Sequence, residues 1–467
     1  MNAQRINDTN WFLDDKDLFD LLTGLSVNKD GKRGYFSCDY KGKGVFLKFF
    51  KEKGFVGYIR NKLLPRGRKE YSAGKKLLAL SITTPQPLGY GISDRGSSII
   101  QERIEGDTFI NLFLKSKERK DFLLRLTQLF RELKKGKVVH NDLHLNNIIV
   151  SNNDLYLIDL HKMQFKRYFT LKDEISNMSH AVTMLYGDMT EEEKAFFFRQ
   201  YPRQDIRTYV EKEMARLWKR WIIKKQKRAF ENTSKIIVSG DYVCIRGKEV
   251  SHHGALPDLL KKDKKIIVER FDDHIRKNYR NRRRLKLAWK NHVVLKYLNL
   301  NITPEAYFMK NNSLFSWGYI AMEDLKGSGI ELDRYLDKTY DSANSGEKRS
   351  FLDKFLLFLV FLFKNKIAHR DLKACNIFAL KENRFLLLDV EDILFTAIDE
   401  ERLKSMLVQL NTTIPKRISI RDRIRVFLKV TKALNMDKKQ IFKDIQIESL
   451  KREIVYEGSS GLCRESW

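Results

Sequence analysis

One stretch of chemistry-bearing residues is written twice in this chain, and it constrains the fold more than any other feature. Val138 to Phe165 reads VVHNDLHLNNIIVSNNDLYLIDLHKMQF, and Ile367 to Phe395 reads IAHRDLKACNIFALKENRFLLLDVEDILF. Each copy has a His-x-Asp, an Asn five residues after that Asp, an apolar run, a polar turn, and a second apolar run ending in another Asp. The residues are His140, Asp142, Asn147 and Asp159 in the first copy, and His369, Asp371, Asn376 and Asp389 in the second. Residues 148–150 and 155–158 are apolar around Ser-Asn-Asn-Asp, which predicts a tight hairpin. Closing it brings Asp159 beside Asn147. Phosphoryl transfer needs such a set. A loop carboxylate, Asp142 or Asp371, aims the acceptor hydroxyl and takes its proton. An amide oxygen and a second carboxylate, Asn147 with Asp159 or Asn376 with Asp389, suit Mg²⁺, which prefers oxygen ligands.

The pattern resembles the catalytic and metal loops of the protein-kinase-like fold. His-x-Asp-Leu-His-x-x-Asn, with the ending Leu-Ile-Asp-Leu, is similar to the bacterial lipopolysaccharide core kinases, the family of Kdo and heptose kinases. Aminoglycoside and choline kinases share the His-x-Asp-Leu-His wording. Neither copy has Gly after the metal Asp, which argues against a regulated activation segment. The resemblance implies an α+β chain of two tandem bilobal kinase-like domains, each with a small β-rich lobe and a helical lobe. It implies Lys48, in Val45-Phe46-Leu47-Lys48, as the residue that contacts the ATP phosphates, and Glu70 as its helix partner. Gln101 to Ile104 would be the hinge against adenine. Gly31 and Gly34 would form the turn over the phosphates, since glycine lets backbone N–H groups approach an anion.

The second copy departs from this pattern. Glu269 follows Ile266-Ile267-Val268 where the fold wants the lysine, and Ala288-Trp289 stands where the first copy has Glu70-Tyr71. The expectation is an impaired second domain, with Arg270, Lys264 or Lys265 as substitute cations. The expected division is 1–232 and 233–454, with a mobile tail over 455–467, and residues 1–24 are expected to be helical.

Length and charge fit this layout. At 467 residues the chain suits two domains. Cys38, Cys244, Cys375 and Cys463 are scattered, so a reducing compartment is expected, without a structural disulfide. The start has no signal-peptide pattern. The longest apolar run, Phe355–Phe363, is far short of a membrane span. The formal charge of +29 calls for an anionic partner. Basic inserts hold Arg60, Lys62, Arg66, Arg68 and Lys69 in one copy. In the other they hold Arg276, Lys277, Arg280, Arg282, Arg283, Arg284, Lys286 and Lys290. The basic helix end 216–228 could equally lie on a membrane surface or pack as a solvated helix.

The resulting expectation is an ATP- and Mg²⁺-dependent kinase of the cytoplasm, peripheral on the inner face of the inner membrane. Its acceptor would be a Kdo or heptose hydroxyl of a lipid A-linked core oligosaccharide. No zinc signature or aromatic-interleaved strand motif supports nucleic acid as the partner. Two rivals remain: a protein kinase, and a non-catalytic pseudokinase module on an anionic surface.

Overall fold

The computed structural model describes residues 1–23, 33–52, 54–203, 205–248, 257–312, 316–340, 342–434, 436–459 and 461–467. Gly31 lies outside them. The chain is mixed α+β and divides into two units, Met1–Leu217 and Trp218–Trp467. The division falls within the helix Ile206–Arg228, ahead of residue 232. The last turns of that helix pack with later residues. The Trp218 indole donates to the Phe395 carbonyl at 3.2 Å, and buried Ala229 accepts from the Trp289 indole at 2.9 Å.

In the first unit the described strands form an antiparallel sheet in the order Asn2–Ile6, Thr9–Leu13, Pro87–Ser93, Gly96–Glu102, Lys43–Lys51, Arg33–Tyr40. The helix expected over 1–24 is thus mostly a hairpin, and only Leu18–Thr23 is helical. Trp11 and Leu13 are buried while Phe12 between them is not, a period of two that suits a strand. Gly34 is the second residue of a strand, opposite Phe49, rather than part of a turn.

Helices Gly54–Leu63 and Arg66–Ala79 follow the Lys48 strand. Gly67 lets the second helix close onto that sheet, because a Cβ there would lie 2.1 Å from the Ser98 carbonyl oxygen. The helical half comprises Phe109–Lys115, Arg119–Lys135, Leu171–Val182, Glu191–Arg199 and the start of Ile206–Arg228. Capping boxes at Thr170/Asp173 and Thr190/Glu193 start two of these helices. Their core includes Phe109, Phe113, Leu126, Leu133, Leu143 and Phe197, all fully buried.

The second unit has a comparable layout among the described residues, with a seven-stranded sheet and one helix after the Ile275–Tyr279 strand. Its described sheet runs Ile236–Ser239, Tyr242–Ile245, Ala306–Lys310, Gly318–Met322, Ile275–Tyr279, Ile266–Arg270, Asp258–Lys262. The helix Arg282–Leu298 follows the Ile275–Tyr279 strand, and Ser345–Lys364 precedes the second His-x-Asp loop. The tail expected to be mobile is a hairpin, Ile454–Gly458 against Gly461–Glu465. It is fastened because Asp333 accepts from the Glu457 backbone N–H at 3.0 Å and Asp337 from the Ser459 N–H at 2.8 Å. Ile454 is fully buried. No helix among the described residues is long and apolar enough to cross a membrane.

Candidate functional site

The hairpin legible in the sequence forms as expected. Ile148–Ser151 pairs with Asp154–Leu157, and Asn152 and Asn153 take the two positive-φ turn positions (47° and 69°). The Ile158 N–H then donates to the Asn147 carbonyl at 2.9 Å, which sets Asp159 beside Asn147. Asp159 is itself left-handed, at φ 61°, a conformation short polar residues tolerate. The Asn147 amide donates to the Asp142 carbonyl at 2.9 Å, leaving its Oδ1 directed elsewhere.

His140 is fully buried beneath this loop. Its Nδ1 accepts from the Asp142 N–H at 3.2 Å, so the proton sits on Nε2, which faces the Ile158 carbonyl at 3.5 Å. Burial pushes its pKa down to about 4, so the ring is neutral. Asn177 fixes the preceding strand by accepting from His140 N–H and donating to Val138 O, both at 2.9 Å.

Lys48 is buried on a central strand. Its ammonium donates to Glu70 Oε1 at 3.1 Å and Oε2 at 3.2 Å, and to Asp159 Oδ1 at 2.6 Å. A cavity of about 370 Å³ is lined by Lys48, Glu70, Asn147 and Asp159, and by the stretch from Gln101 to Glu105. The residues expected as lysine, helix partner, metal ligands and hinge therefore share one cleft, and Asn147 links Asp142 to it.

Three neighbours escaped the sequence reading. His161 Nδ1 lies 2.9 Å from Asp159 Oδ1 and 3.7 Å from Glu70 Oε2. Burial disfavours its charged form, but those carboxylates outweigh it and raise its pKa. Burial would likewise raise Asp159, yet His161 and Lys48 hold it well below the usual carboxylate range. His144 Nε2 lies 2.9 Å from Asp142 Oδ1, and Lys162 pairs with Asp142 Oδ2. The His144 hydrogen bond, followed by Lys162, keeps Asp142 ionised far below its ordinary pKa. His144 was visible in the first copy's His-x-Asp-Leu-His wording, where the second copy has Lys373. Lys162 and His161 were visible only as polar residues after Asp159.

The second unit overturns one expectation. Its buried lysine is Lys277, not a substitute cation near Glu269, because Ile275–Tyr279 holds the sheet position that Lys43–Lys51 holds in the first unit. Lys277 donates to Asp389 Oδ1 at 2.5 Å and lies 3.0 Å from Glu391 Oε1. Burial opposes its charge, but Tyr279, Glu391 and Asp389 together raise its pKa. The carboxylate partner is also present. It comes from the loop as Glu391, where the first unit has His161, while the helix supplies Arg284, 3.0 Å from Glu391. Ala288 is fully buried core. The rest repeats the first unit: Asn376 donates to Asp371 O at 2.8 Å, Leu388 N–H to Asn376 O at 2.8 Å, and Asp389 is left-handed at φ 47°. Lys373 lies 3.0 Å from Asp371. The dense basic insert is thus partly committed within the fold, and Arg276 covers the Phe271 ring at 3.9 Å.

A set of oxygen donors around a buried ammonium, in a cleft of this size, suits a phosphate-bearing ligand with a hard cation. Glu70, Asp159 and His161 also bring potential ligand atoms within 4.8 Å of one another.

Among the comparisons with known proteins, the match to a family model falls in the first unit. No curated protein matches the chain. Among solved structures, the chain is similar to one described as WaaP in complex with acyl carrier protein. The identity is 18%, over 47% of this chain and 99% of that one, with a TM-score of 0.34. It is also similar to an aminoglycoside-3'-phosphotransferase of type VIII, at 13% identity over 44% of this chain and 92% of that one, with a TM-score of 0.29. The model of the lipopolysaccharide kinase (Kdo/WaaP) family matches residues 27–201. The stretch that carries Lys48, Glu70, Asp142, Asn147 and Asp159 is therefore similar to the lipopolysaccharide kinases of that family.

Proposed function

We propose that the chain is an ATP-dependent kinase that phosphorylates a Kdo or heptose hydroxyl of the lipopolysaccharide core, on a lipid A-linked acceptor. The observation that carries this reading is the Lys48 ammonium held between Glu70 and Asp159, in a cleft shared with Asn147. Lys48, fixed by Glu70, would meet the α- and β-phosphates. Asn147 Oδ1 and Asp159 would hold Mg²⁺, which when bound supplies charge neutralisation at the phosphates. Asp142, kept ionised by His144 and Lys162, would orient the acceptor hydroxyl and accept its proton as the new O–P bond forms. A carboxylate with so low a pKa is a weak base, so its main contribution would be aim, with proton transfer late in the step.

We read residues after 217 as a second kinase-like domain. Asp371, Asn376 and Asp389 would play the same parts, with Lys277 in the lysine role. Retention of the lysine and a partner carboxylate favours nucleotide binding by that domain over an inert one.

The test is phosphoryl transfer from γ-labelled ATP to lipid A-core acceptors by the full chain. Asp142→Asn is expected to slow transfer by about a hundredfold or more, while ATP with Mg²⁺ still raises its melting midpoint. Undiminished transfer by Asp142→Asn would reject this assignment. Labelling of protein rather than glycolipid would favour the protein-kinase rival, and a midpoint indifferent to nucleotide would favour the pseudokinase rival.

A further inference from the structure

The helix Gly54–Leu63 is built inside out. Its buried positions are Gly57 and Asn61, one turn apart on one face. Asn61 pins that face by donating to the Ser93 carbonyl at 2.7 Å and the Gly96 carbonyl at 3.2 Å, and Gly57 lies against Glu52. The opposite face carries Phe55, Val56, Ile59 and Leu63, which are 77%, 77%, 40% and 71% exposed. Leu64, just beyond the helix, is also exposed. A helix on the surface of a soluble domain ordinarily turns such side chains inward. A cluster of large apolar groups facing outward marks an interaction surface.

The charges beside it indicate what it meets. Arg60 and Arg66 are both committed to Glu52. Lys62, Arg68 and Lys69 are exposed, and among the described residues Arg68 and Lys69 have no ion pair. An apolar face fringed by free cations is the chemistry of a helix lying in an anionic lipid interface. Between residues 54 and 69 the exposed polar side chains are Tyr58, Arg60, Lys62, Arg68 and Lys69, with no exposed carboxylate among them, a balance that suits anionic headgroups better than the mixed polar rim of a protein partner.

We propose that this helix docks the first unit on an anionic lipid surface. Phe55, Val56, Ile59 and Leu63 enter the boundary between headgroups and acyl chains, and Lys62, Arg68 and Lys69 meet lipid phosphates. The strand before the helix carries Lys48 and the helix after it carries Glu70. One short segment therefore joins the docking face to both members of the buried pair. Docking stands independently of the kinase reading; its use in meeting a lipid-borne acceptor rests on that reading.

The experiment is co-sedimentation of the full chain with phosphatidylcholine vesicles, with or without phosphatidylglycerol. Wild type is expected to pellet with the phosphatidylglycerol-containing vesicles and to be released by salt. Phe55→Ser, Ile59→Ser and Leu63→Ser together should lower partitioning roughly tenfold or more, as should Arg68→Gln with Lys69→Gln. The serine variant alters only exposed positions, so its nucleotide-induced rise in melting midpoint should equal that of wild type. That readout separates lost docking from misfolding and from failure of the kinase reading. Equal partitioning of wild type and serine variant overturns the proposal. So does a wild type that ignores anionic vesicles yet binds an acidic protein through this face.

Discussion

Lys48 and Lys277 occupy the same place in their sheets, yet the charges around them are exchanged. In the first unit the helix gives a carboxylate, Glu70, and the loop gives an imidazole, His161. In the second the helix gives a guanidinium, Arg284, and the loop gives a carboxylate, Glu391. Each arrangement keeps a buried ammonium between two carboxylates, which an uncompensated charge in that environment requires. Glu391 is 2% exposed, so removing its lysine partner leaves charge in the interior. Lys277→Met should therefore destabilise the chain by about 3 kcal/mol or more, measured by urea unfolding. A change below about 1 kcal/mol would mean that Arg284 alone satisfies Glu391.

The elements that carry these residues are positioned by close approaches and by small caps. Gly67 is the clearest case, since any Cβ there meets the Ser98 backbone. Gly67→Ala must push the helix Arg66–Ala79 off the sheet and draw Glu70 from Lys48. The expected result is a loss of about 1–3 kcal/mol in stability together with loss of the nucleotide-induced shift in melting midpoint. An unchanged shift would show that the helix can move without disturbing the pair. At this scale the sequence was readable where local chemistry decides. The Asn152-Asn153 turn follows from spacing and turn residues alone. The tail was not readable, because residues 455–467 have no period of their own. Its hairpin is held by Asp333 and Asp337, more than a hundred residues earlier in the chain.

Across the whole molecule, each unit buries a neutral histidine. Burial holds His140 near pKa 4, and burial followed by the Lys277 charge holds His292 near 3. Both values lie below the unfolded value of about 6.5, so the unfolded chain binds protons first and stability rises with pH. Their contribution is complete above about pH 6.5 and is lost as pH falls toward 4, on the order of 3 kcal/mol for His140. His161, whose pKa is raised, works the other way and favours the folded state at low pH. The melting midpoint should fall between pH 6.5 and 4, and His292→Leu should make that fall shallower. A midpoint that is flat over this range in wild type would contradict the burial of these rings.

The loop that brings the proposed site residues together was determined by the sequence itself. His140, Asp142, Asn147 and Asp159 lie within one local loop and hairpin, where spacing alone dictates who meets whom. The repeat at His369 to Asp389 was legible for the same reason. Lys277 was not read, because a strand's place in a sheet depends on which strands pair beside it, although it stands 92 residues before His369, just as Lys48 stands 92 before His140. The exchange of Glu70 and His161 for Arg284 and Glu391 is likewise invisible along the chain, since it joins a helix to a loop about a hundred residues away. The tertiary structure decided these because a buried charge is satisfied by whatever partner lies nearest in space, whichever segment supplies it.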